Sequence, residues 1–145
     1  MAMTSEEYGK LVGEFSPKSP TGKNTVLAFL IGGAICALGQ GIMNGWMAAG
    51  FEKQDAGTLT SVTLIFLAQL LTALNLYNKL ARFAGAGTLV PITGFANAVA
   101  SPAIDFKSEG FVTGMAAKMF TVAGPVIVFG TLASAVYGVV LMLLQ

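Results

Sequence analysis

Residues 83–103 read FAGAGTLVPITGFANAVASPA, an uncharged stretch between Arg82 and Asp105. Its hydropathy suits a bilayer, yet it carries Gly85, Gly87, Pro91, Gly94 and Pro102, residues that break or loosen helices. Backbone groups freed in hydrocarbon are costly, so irregular chain at that depth must pack inside protein or line a wet cavity. Pro91 removes a donor and disfavours helix at Val90. Thr93 is placed to cap a second short helix over residues 94–100, and Pro102 to end it. The stretch reads as two short pieces around a VPITG break, either a discontinuous span or a re-entrant segment.

The rest of the chain places that segment in a membrane protein. Of 145 residues, 54% are hydrophobic and only 10% charged, and the mean hydropathy is +0.73. A water-soluble domain carries about 25% charged residues, so this surface cannot face water all round. The net charge of +1 gives no electrostatic case for nucleic acid. The single cysteine, Cys36, lies in an apolar run and rules out an internal disulfide. The start, MAMTSEEYGK, lacks the basic and apolar regions of a cleavable signal, so targeting is expected through the first span.

Thr4 and Glu7 have capping-box spacing, and Tyr8, Leu11, Val12 and Phe15 follow on one helical face. Residues 1–24 are therefore an amphipathic segment with a Pro/Ser/Gly linker, and 25–145 a single transmembrane domain. That first helix suits either a membrane surface or a soluble partner. A first span over 25–49 carries Gly33, Ala37, Gly41 and Gly45 at every fourth position, a small-residue ridge for close helix packing. Gln40 and Asn44 flank it. A second span, 58–77, has Gln69 near its middle. Lys10, Lys18 and Lys23 precede the first span, and Lys79 and Arg82 follow the second. That bias puts both ends on the cytoplasmic side.

Residues 110–144 would make a helix of roughly 50 Å, too long for one perpendicular crossing. Gly124-Pro125 is the expected division. Residues 126–144 then form a span with a second small ridge, Gly130, Ser134 and Gly138, while 111–123 are too few to cross alone. The expected fold is an all-α polytopic membrane protein of about four spans with a broken segment at 83–103.

The break points to chemistry. A half-helix N-terminus carries partial positive charge and unpaired N–H groups, which suit a carboxylate or phosphate. Transporters place sites at such breaks, although a buried structural kink has the same sequence signature. Candidate path residues are Gln40, Gln69, Pro91, Thr93, Gly94, Asn97 and Lys118. Lys118 either snorkels to the interface or adds fixed charge near an anion path. Catalysis has no support: there is no histidine, no Ser-x-x-Lys spacing and no intramembrane carboxylate pair. No cofactor or metal motif stands out.

Three blocks in order, AFLIGGAICALGQG, FAGAGTLVPITGFANAVASPA and FKSEGFVTGMAAKMFTVAGPVIVFG, resemble the small membrane subunits of the stage V sporulation A complex. The resemblance runs from Asn24 onward. The EEYGKLVGEFSPKSP extension looks like the C-type branch, since the E-type begins almost at its first span. The resemblance implies movement of dipicolinic acid, with calcium, into the developing spore and out at germination. It also implies the forespore or spore inner membrane as location. Implied partners are the E-type paralogous membrane subunit and a soluble thiolase-like D subunit. Nothing in the spacing identifies that ligand, and three readings stay open: the conduit for calcium dipicolinate that the resemblance implies, a stretch-gated weakly selective channel, and a non-conducting scaffold that docks the soluble subunit implied by the resemblance.

Overall fold

A computed structural model describes residues 4–16 and 19–144. Residues 1–3, Pro17, Lys18 and Gln145 lie outside the described residues, and with them part of the expected linker and the Lys18 charge. The described residues are helical throughout, in seven α-helices and two irregular helical turns.

Helix α1 (Ser5–Phe15) has the expected capping box. The Thr4 N–H donates to Glu7 Oε2 at 2.9 Å, and the Glu7 N–H returns to Thr4 Oγ1 at 3.4 Å. It buries no residue, so Tyr8, Leu11, Val12 and Phe15 all stay exposed.

Helix α2 (Thr21–Ala48) starts four residues before the expected first span. It ends where Gly50 adopts φ 97°. The Gly50 and Phe51 N–H groups turn back to the Met47 and Trp46 carbonyls. This satisfies orphan carbonyls, and the accompanying apolar contact is an edge-to-face pair of Trp46 and Phe51 at 5.6 Å.

Helix α3 runs over Lys53–Ala73, shorter at its end than the expected 58–77. Asn75 is the reason. It takes φ 56°, its N–H donates to the Thr72 carbonyl at 2.9 Å, and the Leu76 N–H reaches Leu71 at 2.8 Å. An asparagine in the left-handed region closes α3 as glycine closes α2. Tyr77 therefore begins a new element rather than finishing the second span.

The chain then passes through α4 (Tyr77–Ala84), α5 (Ala86–Leu89) and α6 (Ile92–Asp105). Arg82 and Phe83 lie beside Asn24 and Thr25 of α2. Gly87 presses on Ala28 so closely that a Cβ there would meet the Ala28 Cα at 2.9 Å. Val90 and Pro91 reach the level of Gly33 and Cys36, past the middle of α2. Helix α6 packs most extensively on α3, with Ala96 in one cluster with Ala68 and Ile65. At its far end Ser101 and Asp105 lie beside Thr72 and Asn75, so α6 runs parallel to α3.

Two expectations for this region fail. Pro91, not Thr93, occupies the cap position, with φ −62° and ψ 161°. Pro102 does not end the helix, which continues to Asp105. A proline inside a membrane helix costs one intrahelical bond, and neighbouring helices make that tolerable.

A short 3₁₀ turn (Lys107–Glu109) and a π-helical turn (Phe111–Ala116) lead directly into α7 (Ala117–Leu144). The expected division at Gly124-Pro125 is not made, because Pro125 sits inside α7. Gly124 has no Cβ to clash with the proline ring, which relieves the usual pre-proline restriction. The continuous stretch Phe111–Leu144 is 34 residues long. Among the described residues, three helical segments are long and apolar enough to cross a membrane: Thr21–Ala48, Lys53–Ala73 and Phe111–Leu144. The chain is an all-helical membrane protein with three candidate spans among the described residues, and the broken segment at 83–103 is not one of these three. Beyond Gly124 every described residue of α7 is exposed, as expected of a surface left to lipid or another chain.

Candidate functional site

The break at Pro91 is organised by a side chain from the turn after α3. In an unbroken helix the Thr88 carbonyl would receive the Ile92 N–H. The extended Pro91 moves that donor away. Tyr77 replaces it: its hydroxyl lies 2.8 Å from the Thr88 carbonyl oxygen and 2.9 Å from Thr93 Oγ1. One phenolic proton cannot serve two acceptors. Donation to the carbonyl leaves the phenol oxygen to accept from Thr93. Tyr77, Thr88 and Thr93 are all buried, with exposures of 4%, 1% and 6%. The network is closed, as buried polar groups require.

Gly94 brings the two pieces together. A Cβ there would collide with the carbonyl oxygens of Thr88 and Leu89, so the first turn of α6 sits directly on the end of α5. The Gly94 N–H is used locally, donating to the Pro91 carbonyl at 2.8 Å.

One turn further along α6, Asn97 Oδ1 lies 2.8 Å from Thr72 Oγ1, which also lies 2.7 Å from the Ala68 carbonyl oxygen. Two clefts flank this contact. One, of about 250 Å³, opens beside the break and is lined by Tyr77, Gly85, Thr88, Gly94 and Asn97 among others. The second, also about 250 Å³, is lined by Thr72, Asn75, Asn78, Ser101 and Asp105 among others. Asn97 lines the first and Thr72 the second, so the two clefts are lined by side chains that touch.

Four of the candidate path residues, Pro91, Thr93, Gly94 and Asn97, therefore meet at one place. The other three lie apart. Gln40 is exposed and donates to Asn44 Oδ1 at 2.9 Å within α2. Gln69 is exposed on α3. Lys118, half-buried at the start of α7, has Nζ 4.1 Å from the centroid of the Phe106 ring, close enough for a cation–π contact.

The ridge Gly33, Ala37, Gly41 and Gly45 is exposed, and a Cβ at any of its glycines would meet nothing within 4 Å. The glycines of α2 that pack inside the chain are Gly32, against Gly87, and Gly39, against Leu64. Gly130, Ser134 and Gly138 are likewise exposed. Both ridges are left for surfaces beyond this chain.

Tyr77, Thr72 and Thr88 were not among the candidates. The available signal was polar: three hydroxyl residues, with Thr93, flanking an uncharged segment that needs internal donors and acceptors.

A model of the SpoVAC/SpoVAEB sporulation membrane protein family matches residues 24–140. The chain is 46% identical over 141 residues to the Stage V sporulation protein AC of Bacillus subtilis (strain 168), covering 97% of this chain and 94% of that protein. No solved structure matches. The chain belongs to the SpoVAC/SpoVAEB family, a family of sporulation membrane proteins.

Proposed function

We propose that this member of the SpoVAC/SpoVAEB family is a conduit subunit. It moves dipicolinic acid, with calcium, across the spore inner membrane, inward during spore formation and outward at germination. The observation that carries this reading is the pair of clefts along α6, one lined by Asn97 beside the break and the other by Thr72, whose side chains meet at 2.8 Å. The substrate itself comes from the family resemblance. An aromatic dicarboxylate suits a path with hydroxyl and amide groups, with no carboxylate among the described residues that line the cleft beside the break and Asp105 at the other cleft.

In this reading α4 to α6 form a re-entrant hairpin. It enters beside the α2 N-terminus, turns at Pro91 beside Gly33 and Cys36, and returns along α3 to the same side. Of the eight Lys and Arg in the chain, only Lys53 follows α2 directly. Among the described residues, Lys10, Lys23, Lys79, Arg82 and Lys107 belong to the side where α2 starts and α3 ends, which makes that side cytoplasmic and sends α7 outward.

The hairpin stops near mid-depth, so a complete path requires further chains. The exposed ridges of α2 and α7 suit the E-type paralogue, and the exposed apolar face of α1 suits the soluble D subunit. That α1 face also favours a second reading, a scaffold that docks the D subunit without conducting.

Reconstitution separates these readings. Liposomes with this chain and its paralogue should pass dipicolinate, and Thr72→Val or Asn97→Ala should change the rate at unchanged protein content. Current that follows membrane tension without dipicolinate selectivity would favour the stretch-gated channel. Silence under both conditions would favour the scaffold.

A further inference from the structure

Two cavities meet on the face of α2 that α5 covers. The upper one, about 470 Å³, is lined by Arg82 together with Ser19, Thr21, Asn24 and Thr25. No carboxylate is among the described residues that line it. The lower one, about 310 Å³, is almost wholly apolar, walled by Gly32, Gly33, Cys36, Val90 and Pro91. They share Ala28 and Ala86, so they form one continuous surface.

The order of polarity is informative. Asn24 and Cys36 are twelve residues apart on one helix, about 18 Å along its axis. One leaflet of hydrocarbon is about 15 Å deep, half of a core of roughly 30 Å. A cation with hydroxyl and amide neighbours therefore sits at the end of α2, and an apolar groove of one leaflet's depth hangs below it. Neither half alone selects a ligand. Together they match an amphiphile with a negative head and an acyl tail.

We propose that this surface holds one anionic phospholipid, its headgroup phosphate at Arg82 and one acyl chain in the groove beneath Ala28 and Ala86. The lipid fills the notch that the short α5 leaves against α2. It thereby stabilises the broken segment in the leaflet it enters. A single Arg attracts an anionic headgroup by roughly fivefold in affinity. The chain should thus prefer phosphatidylglycerol over zwitterionic phosphatidylcholine by about that factor.

Native mass spectrometry of the full chain in mild detergent tests this, with phosphatidylglycerol and phosphatidylcholine offered separately. One phosphatidylglycerol per chain should survive, retained roughly fivefold better than phosphatidylcholine. Arg82→Gln, a change at an exposed side chain, should erase the preference. Gly33→Phe has open space for its Cβ and should expel both lipids by filling the groove. Equal retention of the two lipids by the unaltered chain would overturn the proposal, as would an unchanged preference in R82Q. Displacement of the lipid by millimolar inorganic phosphate alone would mean a free-anion site and would also overturn it. Loss of paralogue binding in G33F with lipid retention intact would assign the groove to another chain, with the same consequence.

Discussion

The Tyr77 hydroxyl lies 2.8 Å from the backbone carbonyl oxygen of Thr88, tying the turn after α3 to the last turn before the break. The contact satisfies an acceptor that a continuous helix would have paired internally. It explains how a proline-broken segment stays packed where water is scarce. It also makes Tyr77 part of the broken segment rather than of the preceding span.

Removing that hydroxyl should destabilise the hairpin. Tyr77→Phe leaves the Thr88 carbonyl unpaired in a buried setting, a loss of about 1–3 kcal/mol. Paired with Thr93→Val in a double-mutant cycle, the coupling should be about 0.6 kcal/mol and not above about 1.7 kcal/mol, the range for hydrogen bonds in membrane helices. Unfolding in detergent micelles supplies the four stabilities. Strict additivity would show that the two hydroxyls do not share a bond.

Glycines of this chain should fall into two classes. Gly94→Ala puts a methyl into the Thr88 and Leu89 carbonyls, so the hairpin must open and folded yield should drop. Gly41→Ala adds a methyl to open space and should leave the isolated chain unchanged. Gly41→Leu should keep the fold yet weaken co-purification with the paralogue, since bulk on a small-residue ridge holds a partner helix away. A folded yield for Gly94→Ala equal to that of Gly41→Ala would contradict the packing at the break.

Single-cysteine labelling in a Cys36→Ser background checks the membrane path. Cysteines replacing Asn78 and Asp105 should react from one side, and one replacing Gln54 from the other. If α7 crosses once, a cysteine replacing Leu144 should share the side of Gln54. Labelling of Asp105 from the Gln54 side would mean that α4 to α6 cross the membrane instead of returning.

The N-terminal helix carries a pH dependence of known sign. The Thr4 backbone N–H, and then its hydroxyl, hold the Glu7 carboxyl below its ordinary value of 4.5. A carboxyl whose folded value is depressed contributes stability that is present above the unfolded value and lost as pH falls through the folded one. Helix α1 should therefore keep its capped first turn at neutral pH and begin to fray below about pH 4.5. Glu7→Gln should remove the dependence. An NMR titration placing Glu7 at or above 4.5 would contradict the capping box.

Much of this architecture was legible in the chain. Few charges and long apolar runs dictate a membrane protein, because no charged surface exists to face water. Thr4 and Glu7 announce the first helix, since capping-box chemistry is local. The FAGAGTLVPITGFANAVASPA stretch marks where a break can fall, because Pro91 lacks a donor, disfavours helix at Val90 and stands among Gly85, Gly87 and Gly94. The blocks around that stretch carry the family resemblance, which the match over residues 24–140 bears out.

Other features depended on neighbours distant in sequence. Whether Pro102 and Pro125 end a helix depends on what surrounds the freed carbonyl and the preceding residue, and in both places the helix continues. Asn75 had the local capacity to stop α3, but only the hydrogen bonds to Leu71 and Thr72 settle that it does. Which glycines of α2 face inward was likewise undecided. The four-residue ridge is the regular pattern, yet Gly32 and Gly39 meet Gly87 and Leu64 because α5 and α3 approach the other face. The pairing of Tyr77 with Thr88 and Thr93 spans 11 and 16 residues. No local propensity encodes such a contact: it exists only once the broken segment has packed against the end of α3 and left a carbonyl in need of a donor.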